Sequence, residues 1–421
     1  MPLRAISLSE QTGAAPGPRD TSRKPRPGSR RVLILLTAMA AIGPMGLNIL
    51  TPAVPGLGVT FAAEPAAVQL TLSLYLLGLA ASQLVMGPLS DRLGRRPVVL
   101  MGLTLAAVAS VAAIAATSVQ ALIVARIAQA VGASAGVVVG RAIIRDLYDR
   151  DRAAAMIGWV TSATVVAPML APMIGGFLDT ALGWQAIFAF VALVSAAILI
   201  GATIALPETQ AAMMRGGGIV RFLEEARLLI ATPQFYGYAL CVAANSAMFF
   251  VYVGGAPHVV VAIMGRSSAV YGMWFALASI GYMAGNFFAA RTSARLGVHR
   301  MIWWGTLLTL VAVASEVALV LLWPDGGPAT IFVPQIVISI GSGLLMPNAL
   351  AGAVSVRPQA AGTASGFTGF LQMGLGALSA QAVSHLLDGA ATALPMVLVM
   401  LGFGIAGLAA FVGLVRRGSA S

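Results

Sequence analysis

An all-α polytopic membrane protein with twelve transmembrane helices is the fold class predicted by this 421-residue sequence, and three observations carry the prediction. Apolar residues make up 59% of the chain and charged residues only 9%, against roughly a quarter charged in soluble domains. Twelve apolar runs long enough to cross a bilayer follow one another along the chain. Basic residues recur in short clusters between alternate runs, the pattern of cytoplasmic loops.

The composition also excludes function classes. A soluble enzyme with so little charge could not cover its surface, and disorder requires low hydrophobicity. The formal net charge of +11 does not indicate nucleic-acid binding, because the arginines are spread over many loops and not gathered on one face. Lys24 is the only lysine, and Arg23 and Pro25 flank it, so the chain has no Walker A loop. The single cysteine, Cys241, forms no intrachain disulfide and reads as a packing residue in an apolar run. His258, His299 and His385 are far apart, without HExxH or CxxC, so no metal site and no cofactor are expected.

Taken in order, the apolar runs lie at 32–55, 67–89, 97–117, 120–142, 153–178, 184–206, 235–257, 270–290, 300–322, 329–350, 360–384 and 391–415. Residues 1–31 carry seven Lys and Arg among Pro and Ser and are expected to be a disordered basic tail. No cleavage site follows, so the first run reads as an uncleaved helix, not a secretory signal. Arginines cluster after runs two, four, six, eight and ten, and Arg416 and Arg417 close the chain. The opposite loops hold Glu64, Asp179, Asp325 and Asp388, with Arg266 their only basic residue. Both termini are therefore expected in the cytoplasm, which requires an even number of spans.

The longest central stretch, 207–234, separates six runs from six. The predicted organisation is an amino-terminal bundle at 32–206, a linker, a carboxy-terminal bundle at 235–415 and a short tail at 416–421. Two weak repeats agree with duplicated halves. Arg92-Leu93-Gly94 recurs as Arg295-Leu296-Gly297, and Asp151-Arg152-Ala153-Ala154 is echoed by Pro358-Gln359-Ala360-Ala361. Parallel halves with a site between them are a transporter architecture.

The strongest local motif is Gly87-Pro88-Leu89-Ser90-Asp91-Arg92-Leu93-Gly94-Arg95-Arg96, between runs two and three. Gly87 allows close helix approach, Gly94 a tight turn, and Asp91 can pair with arginines or with a helix N-terminus. This stretch resembles the loop 2–3 signature of the major facilitator superfamily. That resemblance implies the superfamily's fold of two pseudo-symmetric six-helix bundles, with Gly87, Asp91, Arg92, Gly94, Arg95 and Arg96 latching the cytoplasmic gate when the outer side is open. Gln69–Tyr75, Arg141–Tyr148 and Leu206-Pro207-Glu208-Thr209 are similar to the twelve-span drug:proton antiporters of the bicyclomycin/chloramphenicol resistance type. Ala167-Pro168, Ala171-Pro172 and Gly175-Gly176 resemble the antiporter signature of span five, with Ala where that signature has Gly before Pro. Physically, Pro168 and Pro172 free backbone carbonyls, and Gly175 and Gly176 admit a neighbouring helix.

Two ionisable residues lie well inside runs: Arg126 in run four and Glu316 in run nine. Such residues are costly in a membrane and are read as functional. Arg126, Gln129 and Gly132 resemble the family's R-x-x-Q-G-x-G motif, with Ala130 for the first Gly, which implies that Arg126 faces the cavity and takes part in coupling; the alternative is a structural clamp on backbone carbonyls. Counted at 1.5 Å per residue, Asn48 lies roughly 24 Å from its inner end and Arg126 ~9 Å from its outer end, so both sit at similar depth. Many relatives carry an acid where this chain has Asn48. Asn48 can hydrogen-bond Arg126 without neutralising it, so either the coupling acid lies elsewhere, with Glu316 the leading candidate, or the coupling itself differs. An alternative places Glu316 at the outer interface. Asn245, Phe249, Tyr252, Asn348 and Gln372 are expected to line the cavity, where aromatic and amide groups suit bulky, moderately polar ligands.

The expected protein is a carrier, not an enzyme. It acts as a monomer in the lipid bilayer of a bacterial inner membrane and uses the proton gradient to export small lipophilic drugs such as phenicols. A metabolite or sugar carrier is the alternative within the fold. From another class, Gly132-Ala133-Ser134-Ala135-Gly136 matches G-x-S-x-G, but a protease would need a histidine beside Ser134.

Overall fold

Helix is the only economical way for apolar chain to cross lipid, since it satisfies every backbone polar group within the segment. The computed structural model describes residues 30–148, 156, 160, 166–209, 227, 229, 232–357 and 361–416. Within them run twelve helical elements: α1 Arg30–Thr60, α2 Pro65–Leu93, α3 Arg95–Ile114, α4 Val119–Leu147, α5 Val166–Leu182, α6 Trp184–Ala205, α7 Pro233–Ile263, α8 Ser268–Leu296, α9 Val298–Leu322, α10 Ala329–Ser355, α11 Ala361–Leu387 and α12 Leu394–Val415. The expected tail at 1–31, the linker at 207–234 and the 416–421 tail fall largely outside the described residues. The Asp151–Ala154 stretch and Pro358–Ala360 fall wholly outside them.

Several helices outrun their apolar cores. α2 continues to Leu93 and α8 to Leu296, because helix hydrogen bonding persists past the apolar run until a residue leaves helical geometry. That residue is Gly94 in one case and Gly297 in the other, with φ of +98° and +82°. The N–H of Gly94 donates to the Ser90 carbonyl at 3.1 Å, and that of Gly297 to the Ser293 carbonyl at 2.9 Å. The Arg-Leu-Gly repeat is thus the same helix-ending device used in each half. The signature motif, read from sequence as a loop, is mostly the last turn of α2 and the first turn of α3.

A second correspondence lies in the packing. α3 crosses α4 where Gly102 meets Gly132, and α9 crosses α10 where Gly305 meets Gly341. A Cβ on Gly132 would stand 2.5 Å from the Gly102 carbonyl oxygen, and one on Gly341 2.7 Å from that of Gly305. Without a hydrophobic force between helices in lipid, such close backbone contact is what holds them together. Gly132→Val is expected to destabilise the protein by at least about 1–3 kcal/mol, because backbone, not a flexible side chain, blocks the added methyls. A melting curve in detergent equal to wild type would contradict this.

α1 is broken where Pro52 removes an N–H. The Asn48 carbonyl accepts instead from the Thr51 hydroxyl at 2.8 Å, across a 3-10 turn at Thr51–Ala53. α5 carries Pro172 in its interior, and its paired glycines face different neighbours. Gly175 abuts the Ile49 carbonyl of α1, whereas Gly176 abuts the Ser268 carbonyl of α8 in the other half.

The halves meet through α2 against α11 and α5 against α8. Gln381 of α11 donates to the Ala66 carbonyl at 2.9 Å and accepts from Ser73 at 3.3 Å. Gly272 of α8 lies against the Pro172 carbonyl, and Gly254 of α7 against Gln69. All of these contacts lie toward the helix ends that carry the acidic loops, so the halves are closed together on that side.

Candidate functional site

The amino-terminal half is built around one guanidinium. Arg126 of α4 is only 1% exposed. Its Nη1 donates to the Gly46 carbonyl of α1 at 2.8 Å and to Oε1 of Gln129 at 2.5 Å, and its Nε donates to the Thr71 carbonyl of α2 at 3.3 Å. Its Cζ lies 4.0 Å from the centre of the Tyr75 ring. Gln129 stands three residues along the same helix face and in turn donates to the Ser110 hydroxyl of α3 at 2.7 Å. The cation is therefore held by carbonyl oxygens and an aromatic face, with its Nη2 unpartnered.

This arrangement corrects the expected Asn48–Arg126 hydrogen bond. Asn48 turns back on its own helix and donates to the Pro44 carbonyl at 2.8 Å, while its Oδ1 has no partner. The backbone carbonyl of Gly46 takes the place expected for the Asn48 side chain. Arg126 does not open onto a cavity in this state but lies sealed beneath Tyr75. Sequence reading singled out Arg126 and Gln129 but missed Gly46, Thr71, Tyr75 and Ser110. Thr71 and Tyr75, four apart on one face of α2, were the signal available.

In the carboxy-terminal half, α7 is buried on every side from Cys241 to Pro257 except at Phe249, which is 39% exposed. Beside it, Asn245 accepts from the Ser342 hydroxyl of α10 at 3.0 Å. Gln372 of α11 is half-buried. Two expected cavity residues serve packing instead. Tyr252 is stacked on Phe275 with ring centres 5.8 Å apart, and Asn348 is buried and donates back to the Leu344 carbonyl at 2.8 Å.

Glu316 of α9 is 0% exposed, and neither carboxyl oxygen has a protein partner. It does not reach the outer interface, because six residues of α9 still separate it from the helix end at Leu322. Ser134 donates to the Val131 carbonyl of its own helix at 2.8 Å. The histidines stand elsewhere: His299 bonds Tyr238, His385 lies beside Gln381, and His258 faces Asp388. Among the described residues, none of the three histidines therefore stands beside Ser134.

The signature motif forms a compact ionic cluster. Arg95 pairs with Asp91 at 2.5 Å and with Asp146 of α4 at 3.0 Å. The N-terminus of α3 is capped not by Asp91 but by Glu208, whose carboxylate accepts from the N–H of Arg95 at 2.9 Å and of Arg96 at 3.1 Å. Arg96 also donates to the Thr203 carbonyl at 2.7 Å. A Cβ at residue 94 would stand 2.7 Å from Glu208 Oε2, so Gly94 serves both the turn and the cap. Gly87 lies lightly against Val138, and Arg92 sits in the last turn of α2. Asp146 and Glu208 sat in stretches noted for resemblance, but their meeting at α3 is visible only in three dimensions.

Two six-helix bundles, each enclosing a polar centre and touching mainly on one side, define a helical membrane carrier. The chain belongs to the Major Facilitator Superfamily, which matches residues 36–380. It is 31% identical over 354 residues to multidrug resistance protein D of Escherichia coli K12, covering 83% of this chain and 87% of that protein. It is 32% identical over 332 residues to a chloramphenicol resistance protein of Pseudomonas aeruginosa, covering 78% and 76%. Among solved structures, an inward-facing, occupied bacterial homolog of the human lysosomal transporter Spinster shares the fold with a TM-score of 0.69 at 16% identity, over 92% of this chain and 96% of that one.

Proposed function

We propose that this protein exports small lipophilic or amphiphilic drugs across a bacterial inner membrane in exchange for protons. The observation that carries the reading is one-sided closure. The halves are joined through Gln381, Ser73, Gly176 and Gly272 at the acidic-loop side, while Phe249, nearer the middle of α7, is 39% exposed. With the basic loops in the cytoplasm, this is the inward-open state, and both termini are cytoplasmic. The bundles at 32–206 and 235–415, joined by 207–234, rock about the centre to expose the site to each side in turn. The relatives' names, multidrug and chloramphenicol resistance, support the substrate class.

Arg126 holds the amino-terminal bundle and senses the ligand through the Gly46 carbonyl on α1. Glu316 carries the coupling proton, since Asn48 cannot. A monomer contains all of these groups. Inward proton movement supplies about 2.3 kcal/mol per charge per 100 mV from the potential alone. The test is expression in a strain lacking its own drug pumps, with phenicols and bicyclomycin in the panel. Raised inhibitory concentrations that a protonophore abolishes are expected. No change for any drug would remove the substrate class, and resistance that survives the protonophore would remove the coupling.

A further inference from the structure

A cavity opens at the acidic-loop end of the carboxy-terminal bundle. It has a volume of ≈ 330 Å³ and is enclosed by the outer ends of α7, α9 and α10 and the loop before α12. Exposed Arg266, Asp325 and Thr392 line it on the outer side, and buried Val259, Val320 and Thr330 line it deeper in. That volume holds roughly ten waters. At Val259 α7 widens into a π-turn, a distortion frequent at functional positions.

Glu316 does not line this cavity but lies deeper in the same bundle. It is one turn of α9 below Val320 on the same helix face, a rise of about 6 Å. Tyr252 lies two turns below Val259 on α7 and is close enough to Glu316 to interact electrostatically. Both Glu316 oxygens, Tyr252 Oη and Gln335 Oε1 are buried without protein partners. Buried polar atoms in that condition are ordinarily satisfied by water. The titratable and charged groups on this side are Tyr252 and His258 of α7, Asp388 beside His258, Tyr271 of α8, His385 of α11, and Arg266 and Asp325 at the cavity; α10 and α12 bring none within their spans.

We propose that this outer cavity is the route by which protons from the outer face reach Glu316, through its own bundle and not through the drug cleft. A cavity hydronium passes its proton to the Glu316 carboxylate, leaving water and a neutral acid. The proposal rests on the reading of Glu316 as the coupling acid, and adds where its proton comes from. It explains how the acid can be loaded while the halves are closed together on the outer side.

The test uses purified full-length protein. Infrared difference spectra identify the Glu316 carboxyl band as the one lost in Glu316→Gln, and its hydrogen–deuterium exchange rate is the readout. Thr392→Cys is measured before and after reaction with a bulky maleimide, and Val320→Phe provides an independent plug. Wild type treated with the reagent is the control, because its only thiol, Cys241, is buried. Plugging is expected to slow exchange about tenfold or more, with a matching loss of pH-driven chloramphenicol uptake in proteoliposomes. Unchanged exchange after complete modification, confirmed by mass, would overturn the route. Full pH-driven uptake in Glu316→Gln would instead overturn the reading beneath it, whatever the exchange rates show.

Discussion

Arg126→Ala is expected to abolish drug export while the protein still inserts in the membrane and melts close to wild type. Two stability effects oppose each other. The substitution leaves the Gly46 carbonyl and Gln129 Oε1 without the arginine, at about 1–3 kcal/mol for each buried group, while the Thr71 carbonyl keeps its place in the helical ladder of α2. It also removes a buried cation without a counterion, relieving a burial penalty of several kcal/mol. Neither effect dominates clearly, so folding survives. Transport is lost because Arg126 joins α1, α2 and α4 through Gly46, Thr71 and Gln129. Arg126→Lys should fare little better, since a point ammonium cannot reproduce the planar fork that reaches these acceptors. Full resistance in either variant, at wild-type protein levels, would reduce Arg126 to a structural clamp.

Glu316→Gln should separate coupling from movement. The substitution is nearly isosteric and removes only the ability to take up and release a proton. Because neither oxygen has a protein partner, an amide there breaks no hydrogen bond with the protein, and little stability is lost. Uptake driven by a pH gradient into inverted vesicles should fall to background, while downhill drug exchange continues. The amide stands in for the protonated acid, so the variant behaves as a carrier with its proton always on board. Survival of pH-driven uptake would place the coupling proton on another group.

The residues legible in the sequence were those that break the rules of a membrane span. Arg126 and Glu316 were visible because charge is rare in lipid, and Gly94 because a glycine between arginines ends a helix. What sequence reading misjudged was direction. Asn48 and Arg126 were placed at the right depth, yet Asn48 bonds its own helix and the Gly46 backbone meets the arginine. Tyr252 and Asn348 were placed on a cavity wall, yet both are enclosed by packing. Glu316 was weighed as a group reaching the outer interface, yet it is fully buried.

Composition, run length and the alternation of arginine-bearing loops determined by themselves that this is a twelve-span helical membrane protein. The reason is that lipid accepts only helices of one minimum length and cytoplasmic loops retain positive charge. The tertiary structure alone decided which carbonyls hold Arg126, which carboxylate caps α3, which ends of the halves are closed, and that a cavity at the acidic-loop end of the carboxy-terminal bundle reaches Val320, one turn of α9 from Glu316. Those facts depend on how helices distant in sequence rotate against one another. In an almost uniformly apolar chain, no periodic pattern of polar residues specifies that rotation; close backbone packing at glycines such as Gly102, Gly132, Gly176 and Gly272 does.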